Sequence, residues 1–294
     1  MKVYLSIAFE YQKTTMEPIR LELEKRGHTC TYEPEDGCDF TVMGDAGARR
    51  HTALAVSVNH GMGTKDKFWV KSDKNLEKNE LETKVPHFVP SEFFKTRLEK
   101  LGRKAVVTGV PRLDAAFKLN KFDKPTVFYA TTCHVELCSL FYIGKHIYNL
   151  NEFGYDVLVS PHKMMREQIL CVNDMFPNVC EEDAAYYVAR SDIVIGDYAT
   201  TVLDGIIFNK PTIVFRMGDY ELSKHYNPEN IEVMFSDCMY VAESIHDVYN
   251  YVYKINKGID PLKTKREEAS KILCEYQGCA AKKFCDELEK LCKQ

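Results

Sequence analysis

Short apolar runs alternate with amphipathic stretches of helical period along the whole chain, and this alternation restricts the fold more than any other feature of the sequence. Residues 2–9, 28–32, 40–43, 53–59, 87–90 and 104–109 read as strands. Residues 14–26 and 92–101 read as helices, stopped by Gly27 and Gly102, and Ser91 stands at the N-cap of the second. A polar stretch, 118–125, ends in proline and interrupts the pattern. The alternation then restarts, with strands at 126–130, 156–160, 193–196 and 212–215 and helices at 136–149, 164–175 and 201–208. The tail, 261–291, is rich in Lys and Glu and reads as one or two helices. Strands separated by helices imply βαβ units and mostly parallel sheets. The expected architecture is α/β, with two Rossmann-like domains, 1–120 and 121–294, facing across a cleft. The ligand is expected at the carboxyl ends of the strands.

Composition narrows the function classes. The 294 residues carry 39 Lys+Arg against 43 Asp+Glu, a net charge of -4, which argues against a dedicated nucleic-acid binder. Hydrophobic residues make up 45%, enough for a real core and too many for a disordered chain. The first residues are too polar for a signal peptide, and no apolar run approaches the ~18 residues that span a bilayer. The 11 cysteines form no paired CxxC motif, so they are expected to be free thiols in a cytoplasmic protein. Cys274, Cys279, Cys285 and Cys292 follow a helical spacing, which suits packed thiols better than a metal site.

Four segments could carry chemistry. In Ser57-Val58-Asn59-His60-Gly61-Met62-Gly63-Thr64-Lys65 an apolar strand runs into a histidine between flexible glycines. Histidine titrates near neutrality and can serve as a general base, although a simple glycine turn explains the segment equally well. Val159-Ser160-Pro161-His162-Lys163 ends a second strand in two groups able to meet a phosphate, or in an ordinary exposed pair. In the block from Ser191 to Asp204 a buried strand leads through Asp197 to Thr200 and Thr201 at a helix start, where N–H groups and hydroxyls make an anion site, with Asp204 one turn on. Capping alone would also explain the two threonines. Val107-Thr108-Gly109-Val110-Pro111-Arg112-Leu113-Asp114 offers a cation to an anionic group, and Asp114 as a cap for the helix after it. No Asp-x-Asp, Walker A loop, GxGxxG or GxSxG motif occurs.

In this order the segments HGMGTK, VPSEFFKTRLEKLG, VTGVPRLD, PTVFYATT, VSPHK, SDIVIGDYATTVLDGIIFNKPTIVF and QGCAAKK resemble the CDP-glycerol glycerophosphotransferase family of teichoic-acid and capsule synthesis. The resemblance runs from about Val56 to Lys283. It implies the two-domain GT-B fold, with an N-terminal acceptor-side domain and a C-terminal nucleotide-donor domain. It implies that His60 is the base on the acceptor hydroxyl and that His162 contacts the donor phosphate. It further implies that Lys163, Thr200, Thr201 and Arg112 bind donor phosphate, and that Asp197, Asp204 and Asp114 bind donor or substrate hydroxyls. No metal and no cofactor are implied. The chain departs from the family in having Asn59 where tryptophan is usual, threonines where Ser-Ser is usual, and Lys163 where many relatives have proline.

The implied reaction moves a glycerol-phosphate or similar polyol-phosphate unit from a CDP-activated donor to a polyol-phosphate or lipid-linked glycan acceptor. A nucleotide-sugar glycosyltransferase or a UDP-N-acetylglucosamine 2-epimerase-like enzyme is the alternative, since Gly-x-Pro-Arg-x-Asp occurs in the epimerases too. A non-catalytic nucleotide- or glycan-binding module ranks below both, because both histidines are present. The stretch 93–104 sets Lys95, Arg97, Lys100, Arg103 and Lys104 among Phe93, Phe94, Leu98 and Leu101. That makes it a candidate for peripheral contact with the inner face of the cell membrane, against the plainer reading of a helix docked on its sheet.

Overall fold

The computed structural model describes residues 1–44, 51–58, 85–132, 135–162, 179–180, 183–218, 220–222 and 226–293. These fall into two units. The first comprises described residues up to Lys118 together with those from Ile272 onward, and the second spans Leu119–Lys271.

The first unit is built on β1 (Lys2–Ser6), β2 (Thr29–Thr31), β3 (Phe40–Met43), β4 (Ala55–Val58), β5 (His87–Val89) and β6 (Ala105–Val107). They form one sheet in the order β2-β1-β3-β4-β5-β6, and every pairing is parallel. Two helices follow the sequence pattern closely, α1 (Lys13–Lys25) and α2 (Glu92–Lys100). Gly27 and Gly102 follow them with φ of +83° and +75°, the left-handed conformation that ends a helix and that glycine adopts without strain. Met16, Ile19 and Leu23 of α1 pack on Val3, Leu5, Val42 and Val56 of the sheet.

The second unit contains β7 (Thr126–Ala130), α3 (Leu140–Ile147), β8 (Asp156–Ser160), α4 (Ala184–Arg190), β9 (Ile193–Gly196) and α5 (Thr200–Ile207). It continues with β10 (Thr212–Phe215), the short α6 (Ile231–Met234), β11 (Tyr240–Ala242), α7 (Ile245–Asn256) and α8 (Lys263–Leu273). Its sheet is also parallel, in the order β11-β10-β9-β7-β8. β7, β9 and β10 are buried along their whole length. Such strands read as continuous apolar runs, which is why their sequence boundaries are sharp.

The last helix, α9 (Ala280–Leu291), belongs to the first unit, not to the second as its place in the sequence suggested. Its Phe284, Cys285 and Leu288 are buried against the β1–β5 core, with the Phe284 ring edge-on to Phe88 at 4.6 Å. Arg26 at the end of α1 reaches Asp286 at 2.8 Å and donates to the carbonyl of Lys282. The polar stretch after Lys118 is held by the second unit. Lys121 pairs with Asp192, the Phe122 amide donates to the Arg190 carbonyl, and the Arg190 guanidinium lies 4.0 Å from the Phe122 ring centroid.

Two capping expectations are corrected. Asp114 does not cap the segment that comes directly after it in the chain. Its two carboxylate oxygens accept from the amides of Ala280 and Ala281, so it caps α9 from 166 residues away. Ser91 stands before α2 but turns its hydroxyl to the carbonyl of Ile272, and the free amide of Glu92 is taken by Glu275 instead. Both ends are satisfied by the returning C-terminal segment. Elements absent from the sequence reading are α4, α6, β11 and α7, and the expected helix 164–175 lies outside the described residues.

Candidate functional site

In the second unit the register brings four strand exits level. Ala130 of β7 pairs with Ser160 of β8 and Gly196 of β9, and Val214 of β10 pairs with Gly196. From β7 the chain passes to β8 on one side and then crosses to β9 on the other. The strand order therefore reverses between β7 and β9, the position where open α/β sheets hold ligands outside the carboxyl ends of their strands.

Asp197 leaves β9 at this point with no exposed surface. One carboxylate oxygen accepts from the Thr132 amide at 2.7 Å; the other accepts from both the amide and the hydroxyl of Ser139 at 2.9 Å. The carboxylate thus ties the segment after β7 to the exit of β9. It also explains why 136–149 is not one helix. With its amide drawn to Asp197, Ser139 cannot bond back into a helix, and the chain makes a 3-10 turn at Val135–Leu137 before α3 begins. Burial raises the Asp197 carboxyl to about 7, and the three donors only partly offset that rise.

The helix start that follows is α5. Its N-cap is Ala199, with φ -129° and ψ 154°, and no side chain caps it. Thr200 and Thr201 are partly exposed in its first turn. Positive partial charge and outward N–H groups gather at such an end. Gly196 and Gly205 let the helix lie directly on its sheet. A Cβ on Gly196 would come within 2.9 Å of Val202 Cγ1, and one on Gly205 within 2.5 Å of Thr212 Oγ1. Asp204 is buried inside α5, with 1% of its surface exposed, rather than displayed on its solvent side. His162 leaves the end of β8 exposed. Tyr198, between Asp197 and the helix start, stacks on Tyr220. Burial pushes its phenol up to about 12.

His162, Asp197, Thr200 and Thr201 therefore share one edge of the second unit. Arg112 and Asp114 belong to the first unit, in the 3-10 turn Pro111–Leu113 and just after it, and both are buried. With Asp114 engaged by the α9 amides, its carboxylate serves the fold; burial raises its carboxyl and those two amides pull it back. His60 and Lys163 lie outside the described residues. Arg216 escaped the sequence reading. It follows β10 directly and stands beside Tyr198, where its charge counters part of the phenol's rise. A lone arginine after an apolar strand was the only signal for it.

No family model matches the chain, and no curated protein matches it in sequence. Solved structures do. A variant of the wall teichoic acid polymerase TagF superposes with a TM-score of 0.73 at 14% identity, covering 99% of this chain and 89% of that one. A co-structure of S. aureus MnaA with UDP gives 0.62 at 15% identity, covering 99% and 97%. UDP-GlcNAc 2-epimerase from Neisseria meningitidis, bound to UDP-GlcNAc, gives 0.58 at 14% identity, covering 99% and 100%. Two parallel α/β units, a last helix returning to the first unit and likeness to these structures over nearly the full chain together give this protein the GT-B type of fold.

Proposed function

We propose that the protein is a transferase that moves a glycerol-phosphate or similar polyol-phosphate unit from a CDP-activated donor to an acceptor hydroxyl in the synthesis of a cell-wall or capsule polymer. The observation that carries this reading is the block from Ser191 to Phe215. There a buried strand, an uncapped helix start with two threonines and a second buried strand stand at the reversal point of the sheet, in a fold similar to that of a teichoic acid polymerase. A structure of that neighbour was obtained after a soak with CDPG.

In this proposal the first unit takes the acceptor and the second the donor. His60 removes the proton from the acceptor hydroxyl, whose oxygen attacks the β-phosphorus. The new P–O bond forms as the bond to CMP breaks, and CMP leaves with the electron pair. His162, Lys163, the hydroxyls and amides of Thr200 and Thr201, and Arg112 stabilise the phosphate charge, while Asp204 receives a donor hydroxyl. Asp197 acts one step removed, by holding the strand exits in place. The acceptor is a polyol phosphate or a lipid-linked glycan. The protein works in the cytoplasm, and peripheral contact with the membrane would bring it to such an acceptor. No described helix is long and apolar enough to cross a membrane. The stretch 93–104 is less cationic at its surface than its sequence implies, because Arg103 is buried and Lys95 is paired with Glu92.

Purified protein given CDP-glycerol and a polyol-phosphate acceptor should release CMP, and His60→Ala should lose most of that turnover. CMP release by His60→Ala at the wild-type rate would remove the proposed base. The second reading, a nucleotide-sugar glycosyltransferase or an epimerase, is favoured by the likeness to structures holding UDP and UDP-GlcNAc. Ligands that bind the folded state raise its melting temperature by mass action. Stabilisation by CDP compounds supports the first reading, and stabilisation by UDP-sugars alone supports the second.

A further inference from the structure

Among the described residues, Arg216 is a cation without a counter-charge. Its backbone amide donates to the Ala242 carbonyl, so the sheet fixes its place at the β10 exit. Its side chain is partly buried, and its Nε is shielded from solvent with no hydrogen-bond partner. No carboxylate among the described residues forms an ion pair with it. The two acids nearest its neighbour Tyr198 do not serve. Asp197 has both oxygens occupied, and Glu221 is exposed. The Tyr198 hydroxyl stands close enough for Arg216 to counter part of its rise, but a neutral phenol supplies no counter-charge.

A guanidinium stays charged at every physiological pH, and drawing it partly out of water without a counter-charge costs free energy. Such a group is retained where an anion arrives to meet it. Its planar fork matches the paired oxygens of a phosphate. Val214 pairs with Gly196, so Arg216 emerges one strand away from the Asp197–Thr201 exit and on the same edge of the sheet.

We propose that Arg216 is a binding residue for the phosphate or diphosphate of the ligand taken up at this edge, and that it sets the affinity for the charged part of that ligand. Identification of the ligand as a nucleotide-diphosphate donor rests on the reading above; the anion-binding role of Arg216 does not.

The test is calorimetric titration of the full chain with inorganic pyrophosphate and with CDP, using wild type, Arg216→Gln and Arg216→Lys. Arg216→Gln should bind pyrophosphate about tenfold more weakly or worse, and Arg216→Lys should fall between the two. Without ligand, Arg216→Gln should melt no lower than wild type, because the substitution removes an unpaired charge. A wild type that does not bind pyrophosphate at millimolar concentration would overturn the proposal, as would an Arg216→Gln variant that binds it equally well. A clear drop in the ligand-free melting temperature would assign Arg216 to the fold instead and overturn it too. Pyrophosphate binding that depends on Arg216 in a protein unable to turn over CDP-glycerol would support this inference while removing the donor reading.

Discussion

Asp197 combines full burial, three donors and a carboxyl raised to about 7. In the unfolded chain the same group titrates near 3.9. Folding therefore takes up a proton between about pH 4 and 7, and this group favours the folded state increasingly as pH falls through that window. Above pH 7 its full cost is present. The contribution approaches one proton, a slope of about 1.4 kcal/mol per pH unit. Asp197→Asn should flatten the pH dependence of the urea midpoint between pH 5 and 7. It should also lower stability at pH 7, because its amide nitrogen cannot accept from Ser139. An unchanged slope would mean that the carboxylate ionises normally in the fold. The family resemblance implied a ligand contact for Asp197, and a carboxylate at a strand end can face either a ligand or the chain. Only the positions of Thr132 and Ser139, about sixty residues away, show that it faces the chain.

At the scale of elements, α9 completes the first unit, and Asp114 is its cap. Asp114→Ala should destabilise the protein by about 1–2 kcal/mol, the usual worth of an N-cap, read as a shift in the denaturant midpoint. Asp114→Asn should recover part of it, because one oxygen remains to accept. Gly109 has φ +83°, and a Cβ there would lie 2.5 Å from the Glu275 carbonyl oxygen. Gly109→Ala should therefore cost more than the about 1–2 kcal/mol of the left-handed conformation alone. Phe284→Ala should cost about 3–5 kcal/mol, since it opens a cavity beside Phe88. Thermal melts of these variants test whether α9 is integral to the core. Wild-type melting by Phe284→Ala would show that it is not. The strands at 126–130, 156–160, 193–196 and 212–215 were legible to the residue, because short apolar runs bounded by polar residues mark them, and all but the edge strand 156–160 are buried throughout. The tyrosine-rich helix Ile245–Asn256 was not, because its aromatic residues suit a strand as well as a helix.

For the whole molecule, the division into units does not follow chain order. The fragment 119–271 holds its own sheet, helices and buried core, so it should fold alone. The fragment 1–118 lacks α9 and should fold only when 272–294 is supplied, either co-expressed or fused. Dispersed amide spectra of the two fragments check this, and a well-folded 1–118 alone would contradict it. The sequence reading divides the chain after residue 120, and the second compact unit begins at Leu119. That reading put the tail in the wrong unit because periodicity along a chain carries no information about which sheet a helix returns to.

What the sequence determined is the class of structure: parallel α/β units, the number and order of most strands, and the strand-end segments from which a site would be built. These are local consequences of apolar period, glycine conformation and turn chemistry. Tertiary structure alone decided the rest. It directed Asp114 and Asp197 to backbone amides that are remote in sequence. It returned α9 to the first sheet, and among the described residues it left Arg216 without a counter-charge at the edge where Thr200 and Thr201 begin their helix. Each of these depends on which residues meet across long stretches of chain, and such meetings are set by the burial of whole surfaces rather than by any local pattern.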